Sequence, residues 1–75
     1  MITEEKWKQV FAERLSKRMK VVGMEQKELA MYIYMSPSTV SYYCAGKVIP
    51  SAYTLSLMAE VLTCTVAYLV GEEEE

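Results

Sequence analysis

The groups in this 75-residue chain that could do chemistry are hydroxyls, amides, two thiols, eight cations and ten glutamates. There is no His, no Asp and no Asn. That removes Ser–His–Asp triads, Cys–His pairs and nearly all metal sites. Glutamate pairs remain for acid–base work, but none stands beside a run of residues that would form an apolar pocket. No enzyme activity, cofactor or metal is expected. What the sequence concentrates is hydrogen-bonding capacity: Ser36, Ser38, Thr39, Ser41 and Tyr42 crowd into one short segment. Hydroxyls can donate and accept, so such a surface suits contacts to base edges or phosphate oxygens more than bond-breaking.

These hydroxyls need a scaffold, and residues 26–43 supply it as two short helices joined by a tight turn. Ser36 is a good N-cap, and Pro37 falls at the first helical position, where no N–H is needed. Met35 and Val40 can pack as a hydrophobic staple across that cap. The helix is predicted to run to about Ala45 and stop at Gly46. Upstream, Leu29, Ala30 and Ile33 share one face of a helix starting at Gln26. Met24 and Leu29 can staple its start. Glu25 is a weak cap, so this N-terminus is expected to fray.

The remaining chain reads as further helices. Thr3 caps the first, with Glu4 and Glu5 at the positive end of its dipole. Trp7, Val10, Phe11, Leu15, Met19 and Val22 recur at helical spacing as its apolar stripe, and Gly23 ends it. Trp7 is read as core rather than as a partner contact. Ser51 caps a fourth helix whose inner line is Leu55, Met58, Ala59 and Leu62. Tyr53, Leu57 and Val61 draw a second apolar line on it, either buried all round or a subunit contact. Thr65 caps a last short helix with Val66, Leu69 and Val70 inward, Tyr68 toward the outside, and Gly71 at its end.

Composition bounds the class. This length allows one small domain with a marginal core. At 52% hydrophobic residues the chain is too apolar for disorder, and strand-and-turn patterning is absent, so an all-α fold is favoured. No apolar run approaches a membrane span, and the acidic start MITEEK lacks a signal-peptide pattern. Cys44 and Cys64 read as small apolar residues in a reducing cytoplasm; a disulfide is possible by count alone. The net charge is −2, yet all eight basic residues lie between Lys6 and Lys47. Without residues 72–75, all glutamate, the charge becomes +2. The positive side is therefore the side of the two central helices, unless its cations are simply a solvated face.

The ordered set Gln26, Leu29-Ala30, Ser38-Thr39-Val40, Ala45-Gly46-Lys47 and Pro50 resembles the lambda-repressor/Cro-like (XRE-type) helix-turn-helix family. Thr54-Leu55, Met58-Ala59, Leu62, Thr65 and Leu69-Val70-Gly71 continue the match, which spans roughly residues 11–71. The resemblance implies a compact five-helix domain over residues 1–71, with the helix-turn-helix at helices 2 and 3 and a disordered acidic tail at 72–75. Three departures stand out. Many relatives carry an Arg and a Glu, as an inner ion pair, where this chain has Met19 and Cys44. Loss of both partners together is tolerable where loss of one is not, so Met19 and Cys44 are expected to touch. Tyr34 and Thr63 stand where relatives often have Gly, so strain or a changed turn is expected at Tyr34.

The resemblance further implies double-stranded DNA as partner, with the helix of about residues 37–45 in the major groove. Gln26, Pro37, Ser38, Thr39, Ser41 and Tyr42 would approach bases. Lys47, Lys27, Lys20 and Arg18 would approach phosphates. A homodimer on a palindromic operator follows by analogy, with Tyr53, Leu57, Val61 and Tyr68 as candidate contacts. Residues 36–45 hold no Arg, Lys, Asn or Gln, so bidentate base readers are missing. A cytoplasmic bacterial or phage repressor is the favoured reading. The alternative is a protein-interaction module, or an antitoxin-like regulator, on the same fold with weak DNA binding.

Overall fold

The computed structural model describes residues 2–74. It contains five helices: α1 (Glu4–Val22), α2 (Gln26–Tyr32), α3 (Pro37–Cys44), α4 (Ala52–Val61) and α5 (Val66–Leu69). The expected caps form. The side-chain oxygens of Thr3, Ser36, Ser51 and Thr65 accept from the backbone N–H three residues on, at 3.0–3.1 Å. Each satisfies a donor that the first helical turn leaves open. At α2 the expected fraying is not seen. The Glu28 carboxylate accepts from the Glu25 N–H at 2.9 Å and closes that end.

All five helices end in the same way. Gly23, Tyr34, Gly46, Thr63 and Gly71 take positive φ. The following N–H then reaches back to the last turn: Met24 to Met19, Met35 to Ala30, Lys47 to Tyr42, Cys64 to Ala59 and Glu72 to Ala67, at 2.8–3.0 Å. This satisfies carbonyls that would otherwise be orphaned. Tyr34 (φ 61°) and Thr63 (φ 53°) hold a geometry that suits glycine. The turn has thus kept its shape and carries the strain.

The core gathers around Phe11, Leu15, Leu29, Ile33, Val40, Met58, Leu62 and Leu69, each essentially inaccessible to solvent. The helix α1 packs against α3 and α5, α2 against α3 and α4, and α4 against α5. Trp7 stacks on Phe11 at 5.4 Å between ring centroids, and Phe11 meets Tyr43 edge-on at 6.1 Å. This aromatic series fixes α3 across α1.

Two arginines of α1 bind the C-terminal part of the fold. Arg18 Nε donates to the Leu62 carbonyl at 2.7 Å and an Nη donates to the Thr63 carbonyl at 3.1 Å. A cation on these carbonyls also suits the negative end of α4. Arg14 Nη1 donates to the carbonyls of Tyr68 (2.8 Å) and Glu73 (2.7 Å), and its guanidinium lies 4.7 Å from the Tyr68 ring centroid. The Glu73 carboxylate also hydrogen-bonds the Thr65 hydroxyl. Residues 72 and 73 thus make hydrogen bonds to α1 and α5, within the stretch expected to be a disordered tail; residue 75 lies outside the described residues.

Candidate nucleic-acid interface

The helix α3 has two unlike sides. Val40 and Tyr43 are buried against the core. Pro37, Ser38, Ser41, Tyr42 and Ala45 are exposed. At about 100° per residue, these five occupy one arc of about 140°. Thr39 sits at its margin, half-buried, with its hydroxyl 2.9 Å from the Ser36 oxygen. That hydroxyl is engaged in the cap, while Ser38 and Ser41 leave theirs to solvent. From Leu29 to Gly46 the chain carries no charged side chain.

The start of α2 lies beside the start of α3. Gln26, Lys27, Lys20 and Pro37 line one open groove, floored in part by Met19 and Cys44. Lys20, Lys27 and Lys47 are all exposed, and none forms an ion pair among the described residues. Lys47 directly follows Gly46, so it leaves the C-terminal end of α3. Lys20 and Lys27 thus share a groove with Pro37 and Cys44 beside α3, and Lys47 stands just past the C-terminus of α3.

Arg18 does not join this set. Sequence reasoning placed it among the phosphate contacts, but its guanidinium is bound to the end of α4. The role of Arg14 was not foreseen. Its partners lie more than fifty residues away in sequence, beyond any local pattern.

The residues expected at a subunit contact divide. Tyr53 is exposed, whereas Leu57, Val61 and Tyr68 are half-buried and pack against the core. The helix α4 is therefore not buried all round. Tyr68 additionally carries Arg14 on its ring.

The thiols are free and half-buried. Cys44 lies 3.9 Å from the Met19 sulfur, so the expected contact is present. Burial pushes the thiols of Cys44 and Cys64 above their ordinary value, against a Ser16 hydrogen bond at the first and the Arg18 charge at the second. Burial likewise raises the Tyr43 phenol. No group of three or more His, Cys, Asp or Glu among the described residues could hold a metal. No helix among them is long and apolar enough to cross a membrane.

Against known proteins, a family model described as helix-turn-helix matches residues 15–69. The solution structure of LexA, the SOS-response transcriptional repressor from Eubacterium rectale, superposes with a TM-score of 0.83 at 26% identity. That match covers 92% of this chain and 73% of that one. The crystal structure of FeII HppE in complex with substrate (form 1) superposes with a TM-score of 0.76 at 29% identity, over 81% of this chain. This chain spans only 36% of the HppE chain. No curated protein matches. The matched segment runs from the middle of α1 through α5 and includes the α2–turn–α3 unit with its exposed α3 face. The chain belongs to the helix-turn-helix family.

Proposed function

We infer that this chain is a sequence-specific DNA-binding regulator of transcription, acting as a repressor and not as an enzyme. The observation that carries the reading is the exposed face of α3, with unpaired Lys20 and Lys27 in the groove beside it and Lys47 just past its C-terminal end. Lys20 and Lys27 beside α3 and Lys47 past its end suit phosphates that border a groove. Between them Pro37, Ser38, Ser41 and Tyr42 suit base edges, with Gln26 and Thr39 at the margin. The likeness to a transcriptional repressor supports the same reading.

With Arg18 withdrawn, three cations per protomer serve the backbone. Binding should therefore fall only gently with salt, by roughly three released counterions per protomer. A single module of this kind buries little surface on DNA, so the working form is a homodimer on a palindromic operator, with Tyr53 its most exposed candidate contact. The setting is the cytoplasm of a bacterium or the host of a phage.

One observation favours a second reading, a protein-interaction module or antitoxin-like regulator. Met31, Tyr32 and Tyr34 are 70%, 56% and 80% exposed, an apolar surface at the α2 end that the DNA reading does not use. A gel shift against a randomised duplex pool separates the two. Enrichment of a palindrome is expected for the repressor; no enrichment even at low salt would favour the interaction module.

A further inference from the structure

We propose that α3 reads methyl groups: the C5-methyl of thymine is the feature that this protein recognises in the major groove. The proposal rests on the DNA-binding reading and specifies what that site detects. The outward arc of α3 is made of Pro37, Ser41, Ser38, Ala45 and Tyr42, all exposed. Its chemical content is a pyrrolidine ring, a methyl group, a phenol and two aliphatic hydroxyls. It holds no amide, guanidinium, ammonium or carboxylate.

The groove edge of each base pair offers a donor and acceptor pattern and, at thymine alone, a methyl group. Bidentate reading of guanine needs Arg or Lys, and of adenine needs Asn or Gln. This face has neither. A single hydroxyl rotates to suit donor or acceptor and so discriminates weakly between bases. Pro37, Ala45 and the Tyr42 ring can make only apolar contacts along most of their surface, and the methyl is the apolar group on offer. Tyr42 is 52% exposed, so about half of its surface is open to a ligand.

The other side chains bordering this face narrow the choice further. Gln26 lines the groove with Pro37, and its amide can read adenine bidentately. A thymine methyl against Pro37 and an adenine edge against Gln26 specify neighbouring A·T pairs. Thr39 is held by the Ser36 cap and adds little. The outward arc of α3 carries no formal charge, and Lys20 and Lys27 in the adjoining groove are assigned to phosphates.

The consequence reaches beyond sequence. Cytosine methylated at C5 shows the same methyl at the same place in the groove as thymine. A protein that reads the methyl therefore tolerates 5-methylcytosine where it rejects cytosine, and its occupancy responds to DNA methylation.

The test uses the full chain and a duplex enriched from the randomised pool. Each thymidine is replaced in turn by deoxyuridine, which removes only the methyl. Binding is expected to weaken about three- to fivefold at each methyl touched, the value of one buried carbon. At the same positions a change to cytosine weakens binding, and 5-methylcytosine recovers part of the loss. With Tyr42→Ala the penalty for deoxyuridine should vanish at one thymidine and persist at the others, which distinguishes contact from altered DNA shape. Equal affinity for thymidine and deoxyuridine duplexes at every position overturns the methyl reading and leaves DNA binding standing. No duplex enriched from the pool overturns both.

Discussion

The Cys44 thiol lies 3.9 Å from the Met19 sulfur, joining α3 to α1 where relatives are expected to hold an ion pair. Met19 is 6% exposed and Cys44 is half-buried, so a charge at Met19 alone would be largely desolvated and without a partner. Met19→Arg should destabilise the fold by about 3 kcal/mol or more. Adding Cys44→Glu should restore most of that loss. Urea unfolding of the two single variants and the double variant closes the cycle. Additive losses would show that the two positions do not interact.

Tyr34 holds φ at 61° with its side chain 80% exposed, so its strain gains nothing from core packing. Tyr34→Gly should raise stability by about 0.5–1 kcal/mol, the left-handed penalty less the added entropy of glycine in the unfolded chain. Thermal unfolding should show the midpoint rise by several degrees. An unchanged or lower midpoint would mean that the tyrosine ring stabilises the turn.

Arg18 and Lys20 lie two residues apart on α1 and should fail differently. Arg18→Ala removes hydrogen bonds to the Leu62 and Thr63 carbonyls and should cost about 1.5–3 kcal/mol of stability. Its DNA affinity, measured where the variant is fully folded, should be unchanged. Lys20→Ala should keep stability within about 0.5 kcal/mol and weaken binding to all duplexes alike. Anisotropy and thermal melts on both variants check the contrast.

Alkaline pH should destabilise the domain through groups that burial keeps protonated. Cys44, Cys64 and Tyr43 all have raised values in the folded chain, mainly by desolvation. On unfolding they ionise at their ordinary values, 9.0 for the thiols and 10.0 for the phenol. The unfolded state thus binds fewer protons, and stability falls as pH rises through those values. Below about pH 8 these groups add no slope. A melting temperature that stays flat to pH 11 in the wild type would contradict the assignment. In Cys44→Ala/Cys64→Ala the fall should start nearer the phenol value.

Much of this was legible because it is local. Thr3, Ser36, Ser51 and Thr65 each cap a helix with an N–H three residues away, and such chemistry can be read from the chain. The left-handed ends at Gly23 and Gly46 are of the same kind, and the Met19–Cys44 contact followed from family register. What escaped was long-range. Arg14 and Arg18 look like two more surface cations until folding brings carbonyls 44 to 59 residues away beside them. The attachment of residues 72 and 73 was hidden for the same reason. The α2 cap was missed because Glu25 is a weak cap by type, while the bond that closes it comes from Glu28. At the interface, residue types showed which side chains could meet a base, but only burial showed that Thr39 is half-withdrawn and Ala45 faces outward.

The most direct test follows backbone amide resonances of the full chain as an enriched duplex is added. The largest changes are expected at Gln26, Lys27 and residues 36–47, in a pattern that covers the outward side of α3. Largest changes centred on Tyr53, Leu57, Val61 and Tyr68, with α3 unmoved, would contradict α3 as the reading surface.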